Sequence, residues 1–308
     1  MAVNASASYR VQYSRQVTQL INQINTAEIW GNLTTLSQFP DRASNHDTGI
    51  KAANWINEYV ETLIQRSGRK DAVVYTVATN GTDFMTQTSY SIKQPSIVLK
   101  IGNTSEAGIV VGAHFDTVSC EEEGCINDTY GSLPGVDDNG SGTVVLLELA
   151  KVLLSCNMNF KKPIYLIWYA AEENGELGSQ SVVNEFVDKH ISISAVMNLD
   201  QVGYEKDNDP TMWIFDGSEN DPELVSYMTT LIDYYIKLPI KYAHRNGDSD
   251  GWIWHHAGFK AIRPVENDAQ SPYTHKSVDK LENVSLSHMT NYLKLALAFI
   301  VELSEPVG

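Results

Sequence analysis

The run Ile164-Tyr165-Leu166-Ile167-Trp168-Tyr169 has no polar face. Side chains of a strand alternate between the two sides of its sheet, so a strand apolar at every position must be covered on both sides. Residues 108–113 and 194–199 read the same way. Helical segments separate them at 141–155 and 175–190, and the alternation continues through strand 211–215, helix 221–235, strand 260–265 and a closing helix at 284–303. Asp221-Pro222-Glu223 is a good helix start. Ahead of this part lie helices at 17–39, stopped by Pro40, and at 47–65, then strands at 72–78, 85–92 and 96–101. In the second helix Ile50, Ala53, Trp55, Ile56, Tyr59, Val60 and Leu63 mark one apolar face. No repeat, linker or low-complexity tract interrupts the chain. The expectation is one α/β domain with helices on both sides of its sheet.

A chain of 308 residues can bury a full core. Its 22 Lys and Arg stand against 38 Asp and Glu, a net charge of -16. That surface disfavours nucleic acid and anionic membranes as partners, since both need basic residues. No apolar run approaches the roughly 20 residues that span a bilayer. Met1-Ala2-Val3-Asn4-Ala5-Ser6 has neither a basic nor an apolar segment of the kind that opens a signal peptide. There are three cysteines. Cys120 and Cys125 bracket the polar loop Glu121-Glu122-Glu123-Gly124, where a disulfide is feasible, while Cys156 ends an apolar helix and reads as a buried thiol.

Five segments carry the chemistry: Ala113-His114-Phe115-Asp116, Pro134-Gly135-Val136-Asp137-Asp138-Asn139-Gly140, Ala170-Ala171-Glu172-Glu173, Asn198-Leu199-Asp200 and Tyr273-Thr274-His275. Each places a His, Asp or Glu where a strand-like run gives way to loop, and strand ends are where open α/β sheets build their sites. Two imidazoles and several carboxylates form a donor set suited to zinc. An extra Glu beside a ligand Glu is what metal-assisted hydrolysis needs for proton transfer. Taken singly, each segment has a plainer reading: Asp137-Asp138-Asn139-Gly140 as a helix cap, Glu172-Glu173 as solvated acids, Asp200 as an ion-pair partner. Their shared placement at strand ends favours one site.

In this order the segments resemble the M28 metallopeptidases, in particular the secreted bacterial leucyl-type aminopeptidases. The resemblance runs from about Thr26 to the closing helix, so residues 1–25 stand as an N-terminal extension or first helix and 26–308 as the peptidase domain. It implies a single-domain α/β fold with a mostly mixed, twisted eight-stranded sheet between helices, of the zinc exopeptidase (phosphorylase/hydrolase-like) kind, and two zinc ions per chain. Asp137 then corresponds to the bridging carboxylate. His114 and Asp200 complete one zinc, and Glu173 and His275 the other. Glu172 corresponds to the general base, Asp116 to the partner behind His114, and Asp138 to the residue after the bridge. The implied reaction removes residues from peptides with a free amino terminus, in a secreted, monomeric enzyme.

Departures from that pattern concern substrate preference. The family segment Cys-Gly-Tyr-x-Cys is replaced by residues 244–250. A Met after the metal-binding Asp becomes Gln201, and Arg263-Pro264-Val265-Glu266 stands for Met-Pro-Phe-Glu. Gln201, Ile214, Arg263, Val265 and Tyr273 are the expected substrate contacts, with Trp252 and Trp254 nearby. Apolar residues such as Leu are the default. An inward Arg263 would favour acidic side chains instead, and an ion pair with Glu266 or a surface position would leave it structural. Two rival activities stay open. One is a glutaminyl-peptide cyclase using nearly the same ligands with one zinc, against which an acid after the bridge argues. The other is a serine hydrolase built on Ser249 in Gly247-Asp248-Ser249-Asp250-Gly251, against which argues the short chain that follows.

Overall fold

A computed structural model describes residues 9–82, 89–120, 132–243 and 249–307. Six strands form its main sheet: β1 (Ala72–Thr82), β2 (Ser89–Ile101), β3 (Gly108–His114), β5 (Ile164–Tyr169), β6 (Ile193–Asn198) and β9 (Ala261–Ile262). Their order is β1-β2-β5-β3-β6-β9. The β1-β2 and β2-β5 pairs are antiparallel, and the β5-β3, β3-β6 and β6-β9 pairs are parallel, so the sheet is mixed. A second sheet of three strands joins β10 (Pro264–Val265), β7 (Met212–Phe215) and β8 (Ile240–Ala243). The short strands β4 (Asn159–Phe160) and β11 (Pro306–Val307) pair by themselves. In place of the expected single eight-stranded sheet, the described residues form a six-stranded mixed sheet and a separate three-stranded one.

The apolar strands sort their side chains as period-two geometry demands. Ile109, Val111, Ala113, Ile164, Leu166 and Trp168 enter the larger core. Val110, Tyr165, Ile167 and Tyr169 enter the smaller one on the opposite face. Helices α1 (Ser14–Ile21), α2 (Thr26–Leu36), α3 (Asp47–Ser67), α4 (Gly142–Ser155), α6 (Pro222–Leu231) and α8 (Leu286–Ser304) contribute to the larger core, and α5 (Leu177–Asp188) and α7 (Asp250–His256) to the smaller. Trp168 is fully buried and donates its indole N–H to the Thr143 carbonyl at 3.2 Å. Its replacement by Ala is expected to cost about 3–5 kcal/mol, a thermal-melt measurement. No helix among the described residues is long and apolar enough to cross a membrane.

Three expected elements differ in their bounds. Helix 17–39 is two helices, because the Asn25 side chain caps α2 by accepting from Ala27 N–H at 3.2 Å. Strand 96–101 is the end of the longer β2, and residues 85–88 lie outside the described residues. Strand 260–265 breaks at Arg263, whose N–H leaves the sheet for Asn220 Oδ1 at 2.7 Å. The following Pro264 then opens β10, which pairs with β7 rather than with β6.

Candidate metal centre

The parallel strands β5, β3 and β6 point their carboxyl ends at one place, and four of the five segments begin there or pack beside it. His114 closes β3, Glu172 and Glu173 follow β5, and Asp200 follows β6. The segment holding Asp138 leads into α4, and His275 sits in a turn of its own. Local conformation in these turns is unusual: Ala171, Gln201 and His275 all have left-handed φ values, 49°, 57° and 60°. Such positions cost about 1–3 kcal/mol each for residues other than glycine and persist where surroundings fix them.

Asp138 lies between the two imidazoles. Its Oδ1 is 3.3 Å from His114 Nε2 and its Oδ2 is 3.0 Å from His275 Nε2. Asp200 Oδ1 is also 3.3 Å from His114 Nε2, and Glu173 Oε2 is 3.1 Å from His275 Nε2. Three groups of donors follow among the described residues, His114-Asp138-Asp200, Asp138-Glu173-His275 and His114-Glu172-Glu173, each with its ligand atoms within 4.8 Å of one another; Asp138 belongs to the first two. Glu172 Oε2 stands 4.0 Å from His114 Nε2. Behind the site, Asp116 Oδ1 is 3.4 Å from His114 Nδ1 and accepts from Glu172 N–H at 3.0 Å, while its Oδ2 accepts from Glu173 N–H at 3.2 Å. One buried carboxylate thereby orients the ring of His114 and holds the Glu172-Glu173 turn.

Asp137 does not occupy the bridging place. Its Oδ1 accepts from Gly203 N–H at 3.0 Å, while burial and the nearby charges of Glu266 and Asp279 hold its carboxyl well above the usual carboxylate range. Neighbouring side chains in this loop diverge, and the one that faces the imidazoles belongs to Asp138. The residue after that bridge is then Asn139, whose Oδ1 accepts from Gly142 N–H at 3.0 Å and from Gln201 N–H at 3.2 Å. The argument against a cyclase from an acid at that position is lost with the shift.

Charge in the site fits a cation. Burial pushes Glu173 up to about 7, helped by the charge of Asp138 and opposed by His275. Burial also lifts Glu172 well above the usual carboxylate range, against the pull of His114. For His275 burial favours the neutral ring, but Asp138 and Glu173 outweigh it and hold the imidazole charged up to about 11. Asp138 likewise resists burial and is held low by its two histidine hydrogen bonds. Without a metal the carboxylates therefore borrow protons held on the rings. A dication would replace those protons, since ligand imidazoles must be neutral. Glu173 Oε1 is buried with no hydrogen-bond partner, as expected of a donor reserved for such an ion.

The cavity in front of the centre has a volume of about 270 Å³, and its other walls are Gly175, Glu176, Gln201, Gln270 and Arg263. Of the expected substrate contacts, Gln201 and Arg263 line this cavity. Ile214 and Val265 do not line it, because packing claims them: Ile214 belongs to the larger core, and Val265 to a small cluster with Phe215 and Ala243. Tyr273 stacks edge-on against Tyr204 outside the cavity wall, with ring centroids 5.8 Å apart. Trp254 is buried with its N–H on the Tyr169 hydroxyl at 2.8 Å. The charge of Arg263 is met by a carboxylate of the site. Its Nη2 is 2.6 Å from Asp200 Oδ2 and its guanidinium lies 5.1 Å from the Phe215 ring centre, while Glu266 accepts from Tyr204 N–H at 2.7 Å.

Cys120 is disulfide-bonded, with its Sγ 3.2 Å from His275 Nδ1 and its N–H donating to the His275 carbonyl at 2.9 Å. Cys125 and residues 244–248 lie outside the described residues. Cys156 is a buried free thiol, as its place in an apolar helix suggests. Ser249 fails as a nucleophile on what is described. It is 1% exposed with extended backbone, φ -176°, and its Oγ accepts from Asn198 Nδ2 at 2.7 Å, an amide rather than a base.

The profile of peptidase family M28 matches residues 96–300, a span that includes every residue of this centre. The chain belongs to peptidase family M28. A protein of Arthroderma otae named as a probable leucine aminopeptidase is 29% identical over 98% of this chain and 79% of its own length. The LapA aminopeptidase of Legionella pneumophila superposes with a TM-score of 0.89 at 37% identity, covering 100% of this chain and 77% of that one. A glutaminyl cyclase of Fimbriiglobus ruber shares the fold alone, with a TM-score of 0.73 at 15% identity over 90% of this chain and 95% of its own.

Sequence reasoning passed over several residues that hold the M28 centre from behind. Asp279 accepts from Asp137 N–H at 2.9 Å and from Asp138 N–H at 3.0 Å. Gln94 Oε1 accepts from Ala171 N–H at 3.3 Å. Arg42 is fully buried behind the loop that carries Asp138. None lies in a motif, and the residues around Arg42 and Gln94 are themselves largely polar, so neither stands out in the sequence.

Proposed function

We propose that this M28 peptidase is a zinc aminopeptidase with two metal positions that share Asp138. His114, Asp138 and Asp200 would hold one ion, and Asp138, Glu173 and His275 the other. The observation that carries this reading is the placement of Asp138, with one carboxylate oxygen near each imidazole. Zinc at these positions would polarise the scissile carbonyl and make water acidic enough to lose a proton near neutral pH. Glu172 takes that proton and returns it to the departing amine, and a carboxyl lifted by burial is suited to both halves of the task. Asp116 keeps the His114 ring in its tautomer and fixes the backbone from which Glu172 projects. Removal of single residues from a free amino terminus follows the relatives named leucine aminopeptidases. The disulfide at Cys120 supports an oxidising compartment and thus export.

Leucine-type substrates are the leading reading for the side chain, taken from those relatives. Arg263 favours a second, acidic residues, because its guanidinium reaches the cavity wall. Its charge is engaged by Asp200, so an acidic substrate must compete with that pair. A panel of aminoacyl-p-nitroanilides with their N-acetylated forms tests all of this. Hydrolysis of blocked substrates would overturn the exopeptidase reading, and cyclisation of amino-terminal Gln with one zinc per chain would replace it by the cyclase.

A further inference from the structure

We propose that Arg42 is a positioning residue for the metal centre, its guanidinium fixing the loop that carries Asp138 against the loop that carries His114. The proposal rests on the two-metal reading above. Arg42 Nε donates to the Phe115 carbonyl at 2.7 Å, Nη1 to that of Pro134 at 2.5 Å and Nη2 to that of Gly135 at 2.8 Å. Its backbone N–H donates to Thr117 Oγ1 at 2.9 Å. Phe115 and Thr117 flank Asp116 just after His114, and Pro134 and Gly135 lead into Asp138. A single planar fork therefore ties together two chain segments that also touch where Gly135 packs against Thr117. All three acceptors of the side chain are main-chain carbonyls, although the charges of Asp279, Asp116, Asp138 and Asp41 all act on it.

The frame continues on either side. The Arg42 carbonyl accepts from Gln94 Nε2 at 3.0 Å, and the same side chain accepts from Ala171 N–H, next to Glu172. On the far side, Asp279 receives the N–H groups of Asp137 and Asp138 and sits on the turn that begins with His275. Carbonyls of the Asp138 loop thus go to a buried cation and its amides to a buried anion. A buried arginine kept only for stability could satisfy carbonyls anywhere. This one takes carbonyls from the two loops whose separation decides whether Asp138 can serve both histidines. Both Arg42 and Gln94 precede the segment matched by the family profile.

Titration of the metal-free protein with Co²⁺, read by its visible absorption, tests the proposal beside peptide hydrolysis. Arg42→Lys keeps the charge and loses the fork. It is expected to weaken Co²⁺ binding and lower kcat about 10–100-fold, the usual effect of losing a partner behind a ligand, with KM little changed. Unchanged Co²⁺ affinity and spectrum in a variant that is merely less stable would overturn it. Hydrogen exchange on the wild-type protein removes any dependence on how the variant folds. Amides of residues 114–117 and 135–139 should be protected before metal is added. If they exchange freely until Co²⁺ is present, the metal and not Arg42 organises the loops, and the proposal fails. A wild-type chain that shows protected loops but binds no Co²⁺ would instead count against the two-metal reading.

Discussion

Arg263 and Asp200 form an ion pair of 2.6 Å across the wall of the catalytic cavity, using the carboxylate oxygen that does not face His114. A cationic side chain of the cavity wall is therefore tied to a candidate metal ligand. Removing the cation leaves a buried carboxylate with one fewer partner, so a change meant to alter specificity also reaches the metal. In Arg263→Met the Leu-to-Glu ratio of kcat/KM should rise in the aminoacyl panel, and zinc should dissociate more readily during dialysis against a chelator. An unchanged ratio would show that Arg263 only supports Asp200.

The two adjacent aspartates should behave differently. Asp138→Ala is expected to lose zinc from both positions, whereas Asp137→Asn should keep two zinc ions per chain by elemental analysis. Equal metal loss in the two variants would contradict the assignment of the bridge to Asp138.

Glu172→Gln should retain the metals and the fold while lowering kcat by about 10²–10⁴-fold, the contribution of a positioned acid-base group. Steady-state kinetics on Leu-p-nitroanilide with parallel zinc analysis provides the check. Lost zinc would make Glu172 a ligand.

Glu266, which faces Asp137 behind the metal donors, gives a pH test. Burial raises it to about 8, and its hydrogen bonds from Tyr204 N–H and with Asp137 only moderate the rise. The folded chain thus holds a proton that the unfolded chain releases near 4.5, the ordinary value for Glu. Stability from this group is complete below that ordinary value and is lost as pH climbs towards 8, because unfolding then releases a proton. Glu266→Gln keeps a permanent donor at this position. Its melting temperature should fall less than that of the wild type between about pH 6 and about pH 9.

Much of this was legible in the sequence because strands advertise themselves. The run 164–169 had to be covered on both sides, and His114, Glu173 and Asp200 fell at strand ends, where the parallel sheet gathers them. Which of Asp137 and Asp138 faces the imidazoles could not be read, because the pair lies in an irregular loop with no periodicity to say which carboxylate turns inward. Ile214 and Val265 were placed by correspondence with a pocket, but their neighbours at β7 and β10 pack them into apolar interiors. Arg42, Gln94 and Asp279 left no pattern at all, since each acts on main-chain groups and those contacts exist only once the chain is folded.

Arg263 is also the residue at which the chain steps from the six-stranded sheet to the three-stranded one, with β9 ending just before it and β10 beginning just after. One residue is the whole length of that step. An insertion or deletion there would slide Ile262 or Pro264 into its place and disturb the pairing of two sheets at once. One side chain can be exchanged for another at this point without moving either sheet, while changes of length are closed to it.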